Sequence, residues 1–139
     1  SSNKKKISNI NNKLFNIILK RNIKESHKLY KDFYSTELLK KLILKFKQIA
    51  NKRNHKPIII IFPQPLDLRL KSFKNVKSFI EILKKKIDLI DLSNYINKTN
   101  LSRYYMQDKY GGHFSKFGNK KISQIINKNI KKFKNNYTG

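Results

Sequence analysis

The sequence predicts an α/β protein with parallel strands flanked by helices, and three observations carry this prediction. Ile58 to Phe62 is an apolar run without polar alternation, which is typical of a parallel strand buried on both faces. Residues 73–86 carry apolar side chains at helical spacing, and residues 87–92 form a second short apolar segment. Strand, helix and strand within about 30 residues predict a right-handed βαβ unit.

The segment before this unit is expected to be helical after a short basic start. Residues 1–8 are polar, contain a run of lysines and are predicted to be disordered. A short helix is predicted from Ile10 to about Lys24, with an apolar face formed by Ile10, Leu14, Phe15, Ile17 and Ile18. A clearer helix is predicted from Thr36 to Lys52, capped by Ser35 or Thr36.

The segments after the first strand complete the predicted architecture. The two prolines around Gln64 predict a turn, and residues 93–107 read as a polar loop with a short helical turn at 94–97. Ser115 stands where an N-cap would start a last helix, and that helix is expected to pack back onto the sheet. Its apolar positions recur at roughly helical spacing: Phe117, Ile122, Ile125, Ile126 and Phe133.

The charge of the chain is extreme, but its composition weakens the usual interpretation. The formal net charge is +25, which ordinarily indicates a polyanion partner. Arginine, whose fork favours phosphate and base recognition, occurs only at four positions: Arg21, Arg53, Arg69 and Arg103. The excess of Lys together with Ile and Asn is the set expected from A/T-biased coding. Compositional drift is therefore favoured over nucleic-acid binding.

Other compositional features exclude some classes and leave the compartment open. The chain has no cysteine, so disulfides and thiolate metal sites are excluded. No apolar run approaches the ~20 residues of a membrane helix, and the polar start lacks a signal-peptide pattern. No His pair has metal-binding spacing and no Gly-rich phosphate loop is present, so no metal or cofactor is expected.

The stretch from Tyr104 to Ile126 concentrates the residues with chemical potential. It holds three of the four glycines of the chain. Gly111 and Gly112 separate Asp108 from His113, so the backbone can take positive φ and bring the carboxylate to the imidazole. A carboxylate that accepts from one ring nitrogen leaves the other nitrogen free to act as a base.

The last part of the sequence resembles the final block of SGNH (GDSL-type) hydrolases. The pattern consists of a histidine, then a glycine and a small residue in an amphipathic closing helix, here His113, Gly118 and Ser123. The resemblance implies a flavodoxin-like three-layer α/β/α fold and ester hydrolysis or O-acyl transfer. His113 would be the general base of a Ser-His-Asp triad, with Asp108 as its orienting carboxylate.

The sequence departs from this family at two points. The family usually places its Asp three residues before the His, and that position is Tyr110 here. No serine follows a Gly-Asp pair, and no glycine precedes Gly111, so the family's nucleophile and oxyanion-hole blocks are not found. The resemblance therefore covers residues 36–134 as the C-terminal half of such a domain, after a basic, partly helical segment 1–35 and before a tail 135–139. Either the chain is a fragment whose serine lies elsewhere, or it is a degenerate relative.

The resemblance also implies a small acyl ester or acylated saccharide as substrate and the missing N-terminal half of the domain as partner. Gln64 and Asp67 follow the first strand, at the end where α/β sheets bind ligands, and with Tyr110 they are candidates for substrate contact. Two prolines and an aspartate are also typical of a simple turn, which is the favoured interpretation of Gln64 and Asp67. His27 and His55 lie in basic, polar surroundings and are expected to be solvated.

Two alternatives remain open at the level of sequence. The stretch around His113 is also compatible with a tight loop without catalytic function, in which the imidazole stacks on Tyr110. The whole chain is also compatible with a non-catalytic basic module that binds nucleic acid or acidic polysaccharide, which predicts affinity that falls steeply with salt.

Overall fold

A computed structural model describes residues 2–106 and 112–135, with side chains from residue 12 onward. Helices account for 71% of the chain, and the described strands form a two-stranded parallel sheet. The structure is therefore mixed α/β, as predicted, with more helix than the sequence suggested. None of the described helices combines the length and apolarity needed to cross a bilayer.

The elements follow one another with short connections. In chain order they are α1 (Ser2–Leu29), α2 (Phe33–Lys52), β1 (Ile58–Ile61), α3 (Pro65–Arg69), α4 (Phe73–Lys84), β2 (Asp88–Asp91), two 3₁₀ turns (Leu92–Asn94 and Lys98–Asn100), α5 (Leu101–Tyr104) and α6 (Lys116–Asn135). The predicted βαβ unit corresponds to β1, α4 and β2.

The sheet packs helices on both of its faces. Ile58 pairs with Asp88 and Ile61 with Asp91 in a parallel register. Because side chains alternate along a strand, Ile59 and Leu89 pack into a core with α4, whereas Ile60 and Ile90 pack against α6. The last helix thus packs back onto the sheet, as predicted.

Strand β1 is less buried than its sequence predicts. All four of its isoleucines are only partly buried, although the pattern indicated a strand covered on both faces. Because β1 pairs with β2 alone among the described residues, its other edge has no strand partner there. The isoleucines of β1 are therefore buried less completely than the apolar sequence of this strand predicts.

The N-terminal segment differs from its prediction in two respects. Helix α1 begins at Ser2, so residues 1–8 are helical from Ser2 onward and not disordered. The predicted apolar face is turned outward, since Leu14, Ile17 and Ile18 are 55%, 64% and 49% exposed. The side of α1 that faces the protein instead carries four residues at helical spacing: Leu19, Ile23, His27 and Tyr30.

Two local features also differ from their predictions. Helix α2 begins three residues early because Asp32, rather than Ser35 or Thr36, is its N-cap and accepts a hydrogen bond from the Ser35 amide at 2.7 Å. The predicted turn after Pro63 contains the short helix α3, whose Asp67 carboxylate accepts from the Gln64 amide at 2.7 Å. A proline at the first helical position favours this start.

Candidate active site

The carboxyl ends of β1 and β2 are the part of the fold where the predicted site residues were expected to meet. Strand β1 ends at Ile61 and is followed by exposed Phe62 and buried Pro63 before α3. Strand β2 ends at Asp91, whose buried carboxylate forms an ion pair with Lys77 and accepts from the Ser93 amide. Because the Asp91 carboxylate is buried and bound to these protein groups, it is not available to a substrate.

Tyr105 anchors the loop that carries His113 to the end of β1. Its buried phenol donates a hydrogen bond of 2.6 Å to the Pro63 carbonyl. Tyr105 also forms an antiparallel bridge with Phe114, and the two rings stack with centroids 4.8 Å apart. Burial, with a contribution from the negative charge of Asp67, raises the pKa of Tyr105 far above its ordinary value. Tyr105 is therefore a neutral hydrogen-bond donor at physiological pH.

The glycine before His113 lies directly against the loop that follows β1. Gly112 has a φ of +91°, and a Cβ atom built on it would lie 1.9 Å from the Gln64 side-chain oxygen. The backbone conformation therefore favours glycine, whereas the Gln64 side chain could turn away from an added Cβ atom. The predicted positive φ is confirmed at Gly112, and the predicted substrate-contact residue Gln64 lies beside the residue that precedes His113.

His113 is held through its backbone and presents its side chain to solvent. Its carbonyl accepts from the Met106 amide at 2.8 Å, and the imidazole is exposed. Two residues later the Ser115 hydroxyl accepts from the Gly118 amide at 3.0 Å and donates to the Arg103 carbonyl at 2.5 Å. The prediction that Ser115 caps the last helix is thus confirmed, and His113 stands at the start of α6 above the end of β1.

Gly118 allows α6 to approach this loop closely. A Cβ atom on Gly118 would lie 2.1 Å from the Tyr104 carbonyl oxygen and 3.2 Å from the Tyr104 Cα. The Ser115 amide donates to the same carbonyl at 2.8 Å. The glycine that resembles part of the SGNH block therefore has a packing role that is independent of catalysis. Ser123 is exposed, and its hydroxyl donates to the Lys120 carbonyl.

An unpredicted serine, histidine and aspartate come together between α1, α3 and α4. His27 Nε2 lies 2.8 Å from Asp67 Oδ1, and its Nδ1 lies 2.8 Å from Ser72 Oγ. The carboxylate accepts from Nε2–H, so in the neutral ring Nδ1 accepts from the Ser72 hydroxyl. The expectation that His27 is solvated is wrong: its exposed fraction is 3%, and its ring packs against Phe73 with centroids 5.6 Å apart.

The geometry of these three residues indicates a structural connection and not a second catalytic site. A base must be reachable by substrate, whereas His27 is buried. The Asp67 carboxylate is shared with the Gln64 amide. The first amides of α4 donate to the carbonyls of residues 70–72, so they do not form an oxyanion hole beside Ser72. The contact instead fastens α1 to α3 and α4, and Asn75 adds a hydrogen bond to the His27 carbonyl.

The predicted site residues are brought together only in part. Gln64 and His113 lie on adjoining loops at the carboxyl end of β1, and Asp67 lies on α3 with its carboxylate directed to internal partners. Asp108 and Tyr110 fall outside the described residues, so the proposed pairing of Asp108 with His113 stays a prediction. His55 is exposed at the opposite, amino end of the strands.

Sequence reasoning missed the burial of His27, although the sequence held a detectable signal of it. The spacing of Leu19, Ile23, His27 and Tyr30 places the histidine on a helical stripe. The apolar residues at 14–18 form a stronger pattern, so the sequence predicts the buried face of α1 there and not on the stripe that contains His27. The role of Tyr105 depends on Pro63, 42 residues earlier in the chain.

Comparisons with known protein families, with curated proteins and with solved structures gave no match to this chain. Within residues 2–106 and 112–135, no group of three or more His, Cys, Asp or Glu residues is arranged to hold a metal ion.

Proposed function

We propose that this chain is the C-terminal portion of an SGNH-type ester hydrolase or O-acyl transferase. His113 is the general base of its Ser-His-Asp triad, and Asp108 orients the imidazole. The nucleophilic serine belongs to a segment outside the given sequence, since no Gly-Asp-Ser occurs among its 139 residues. In the reaction, His113 takes the proton of that serine as it attacks the ester carbonyl and later returns a proton to the leaving alcohol.

The position of His113 is the observation that carries this proposal. The exposed imidazole stands on a loop fixed at both ends, by the Tyr105 hydrogen bond to Pro63 and by the Ser115 cap of α6. This loop lies at the carboxyl end of a parallel strand, where open α/β sheets bind their ligands. A solvent-accessible base at this edge has the properties that acyl transfer requires.

The exposed apolar surfaces support an incomplete domain. Among the described residues, β1 has no strand partner on its second edge, and its isoleucines are only partly buried. An apolar stripe on α2 is exposed at Leu38, Leu42 and Phe46 by 60%, 60% and 48%. A strand pairing with β1, together with its connecting helix, would cover these surfaces. The flavodoxin-like three-layer fold proposed for the complete domain supplies such elements.

The proposal is tested by ester hydrolysis with the product of the complete gene. We expect turnover of a short-chain acyl ester, and we expect His113→Gln to lower kcat by about 10⁴-fold, because the members of a triad act as a unit. His55→Gln is the matched control, since His55 is also exposed but lies at the amino end of the strands. Turnover that persists in His113→Gln would contradict the mechanism.

A further inference from the structure

A basic cleft lies between the α3–α4 connection and the second 3₁₀ turn. It has a volume of about 370 Å³ and is lined by Leu68, Arg69, Leu70, Lys71, Phe73, Lys74, Lys77 and Lys98. Five of these eight residues are cationic, against 33 of 139 in the whole chain, and no acid lines the cleft. The concentration of positive charge is therefore local and exceeds the general excess of lysine.

Most of the cations in this cleft are not neutralised by the protein. Lys77 forms an ion pair with buried Asp91. Within the described ranges, the exposed side chains of Arg69, Lys71, Lys74 and Lys98 take part in no ion pair or hydrogen bond. Four unpaired cations around one concave surface repel one another, and an anionic ligand would relieve this repulsion.

A second basic cleft lies at the amino ends of the strands. In this cleft, some lysines contact other groups of the protein. It is larger, about 690 Å³, and includes Asp88 among its lining residues. Lys47 donates to the Lys86 carbonyl, and Lys56 contacts the Asp88 carboxylate at 3.6 Å. The ends of α2 and α4 lie here, and lysine is favourable at the negative end of a helix dipole. Internal contacts explain Lys47 and Lys56, whereas Lys85 and Lys86 line the cleft just after the end of α4. This cleft serves as a control.

We infer that the cleft lined by Arg69, Lys71, Lys74 and Lys98 binds a phosphate group of a phosphorylated polyol or saccharide. The Arg69 guanidinium offers a fork that matches two phosphate oxygens, and the lysines supply point charges. Phe73 is 6% exposed, so the aromatic ring among the described lining residues is not available to stack on a base. A polyanion without bases therefore fits this surface better than a nucleic acid does.

The location of the cleft relates it to the proposed reaction. Helix α3, which contributes Leu68 and Arg69, starts directly after Gln64, the residue that contacts Gly112 beside His113. Both sites therefore lie at the carboxyl end of the sheet. Phosphate binding stands on the cleft alone, whereas its role as an anchor for an acylated, phosphate-bearing substrate rests on the proposed function.

Binding is tested on the 139-residue chain by amide chemical-shift titration at constant ionic strength. The probes are inorganic phosphate, glycerol 3-phosphate and a short thymidine oligonucleotide. We expect saturable shifts centred on residues 68–74 and 98 with both phosphates. Arg69→Gln combined with Lys74→Gln should raise the Kd for glycerol 3-phosphate about tenfold, because charge-assisted hydrogen bonds are lost.

The control variant combines Lys85→Gln and Lys86→Gln in the amino-end cleft and removes the same net charge. It should change this Kd less than about twofold if the contacts are local. If both double variants weaken glycerol 3-phosphate binding equally, the attraction is diffuse and the inference is overturned. Chemical shifts that do not saturate, or tighter binding of the oligonucleotide across the whole surface, would also overturn it. All four residues are exposed, and circular dichroism verifies that the variants are folded. Loss of phosphate binding and loss of ester turnover are separate results, so either proposal can fail alone.

Discussion

At the scale of the residue, Tyr105 determines where the candidate base stands. Its phenol connects the loop before His113 to the end of β1 through a single buried hydrogen bond. Burial, with a contribution from the negative charge of Asp67, raises the pKa of this phenol and also the pKa of Tyr30. One carboxylate thus holds His27 in place and adds to the effect of burial that keeps Tyr105 protonated.

The raised pKa of Tyr105 predicts a loss of stability at high pH. The unfolded chain loses its phenolic protons near pH 10, whereas folded Tyr105 keeps its proton to higher pH. This contribution to the free energy of unfolding is complete below about pH 10 and declines as the pH rises further. Tyr105→Phe should cost about 1–2 kcal/mol at neutral pH and show a shallower decline. Urea unfolding at about pH 8 and about pH 11 measures both effects, and equal slopes in the two proteins would contradict the assignment.

Some residue roles could be predicted from the sequence, and others could not. The Ser115 cap and the positive φ of Gly112 follow from local rules, because a cap and a glycine turn depend on a few neighbouring residues. The burial of His27 depends on Asp67 and Ser72, 40 and 45 residues away. No local pattern specifies such partners.

At the scale of the element, the close contact between α6 and the Tyr104 carbonyl fixes the helix that follows His113. Gly118 is a poor helix former, and alanine there would gain about 1 kcal/mol from helix propensity. A Cβ atom 2.1 Å from a backbone oxygen cannot be relieved by a change of rotamer, so the helix would have to shift. The steric cost therefore exceeds the gain in propensity.

Gly118→Ala should lower the free energy of unfolding by about 2 kcal/mol, as overpacking of a tight contact does. Gln124→Ala, an exposed substitution on the same helix, should change it by less than about 0.5 kcal/mol. Urea denaturation of the 139-residue chain measures both values. A neutral or stabilising Gly118→Ala would mean that α6 does not pack against Tyr104 as described.

The elements that were predicted correctly are those with a strong period or a strong apolar run. Strands β1 and β2 and helices α2, α4 and α6 lie close to their predicted positions. Helices α3 and α5 were missed because they are five and four residues long, too short for a period to be visible. The face of α1 was predicted wrongly because its strongest apolar cluster points to solvent.

At the scale of the whole molecule, the main question is what covers the exposed stripe on α2 and the edge of β1 that has no strand partner in the described part of the chain. The sequence predicted a strand buried on both faces, and the described residues provide β1 with a strand partner on one edge. Under the proposed function, the complete gene product supplies the elements that cover these surfaces. The proposed function makes a specific demand on that product: it must carry a serine that His113 activates.

The most direct test of this demand is covalent labelling of the complete gene product by a fluorophosphonate, which reacts with activated serines whatever the natural ester is. The account predicts one labelled serine outside residues 1–139, with labelling slowed about 10³-fold or more by His113→Gln and unchanged by His55→Gln. Absence of labelling, or labelling at the same rate in His113→Gln, would contradict the central claim and leave a domain without the proposed chemistry.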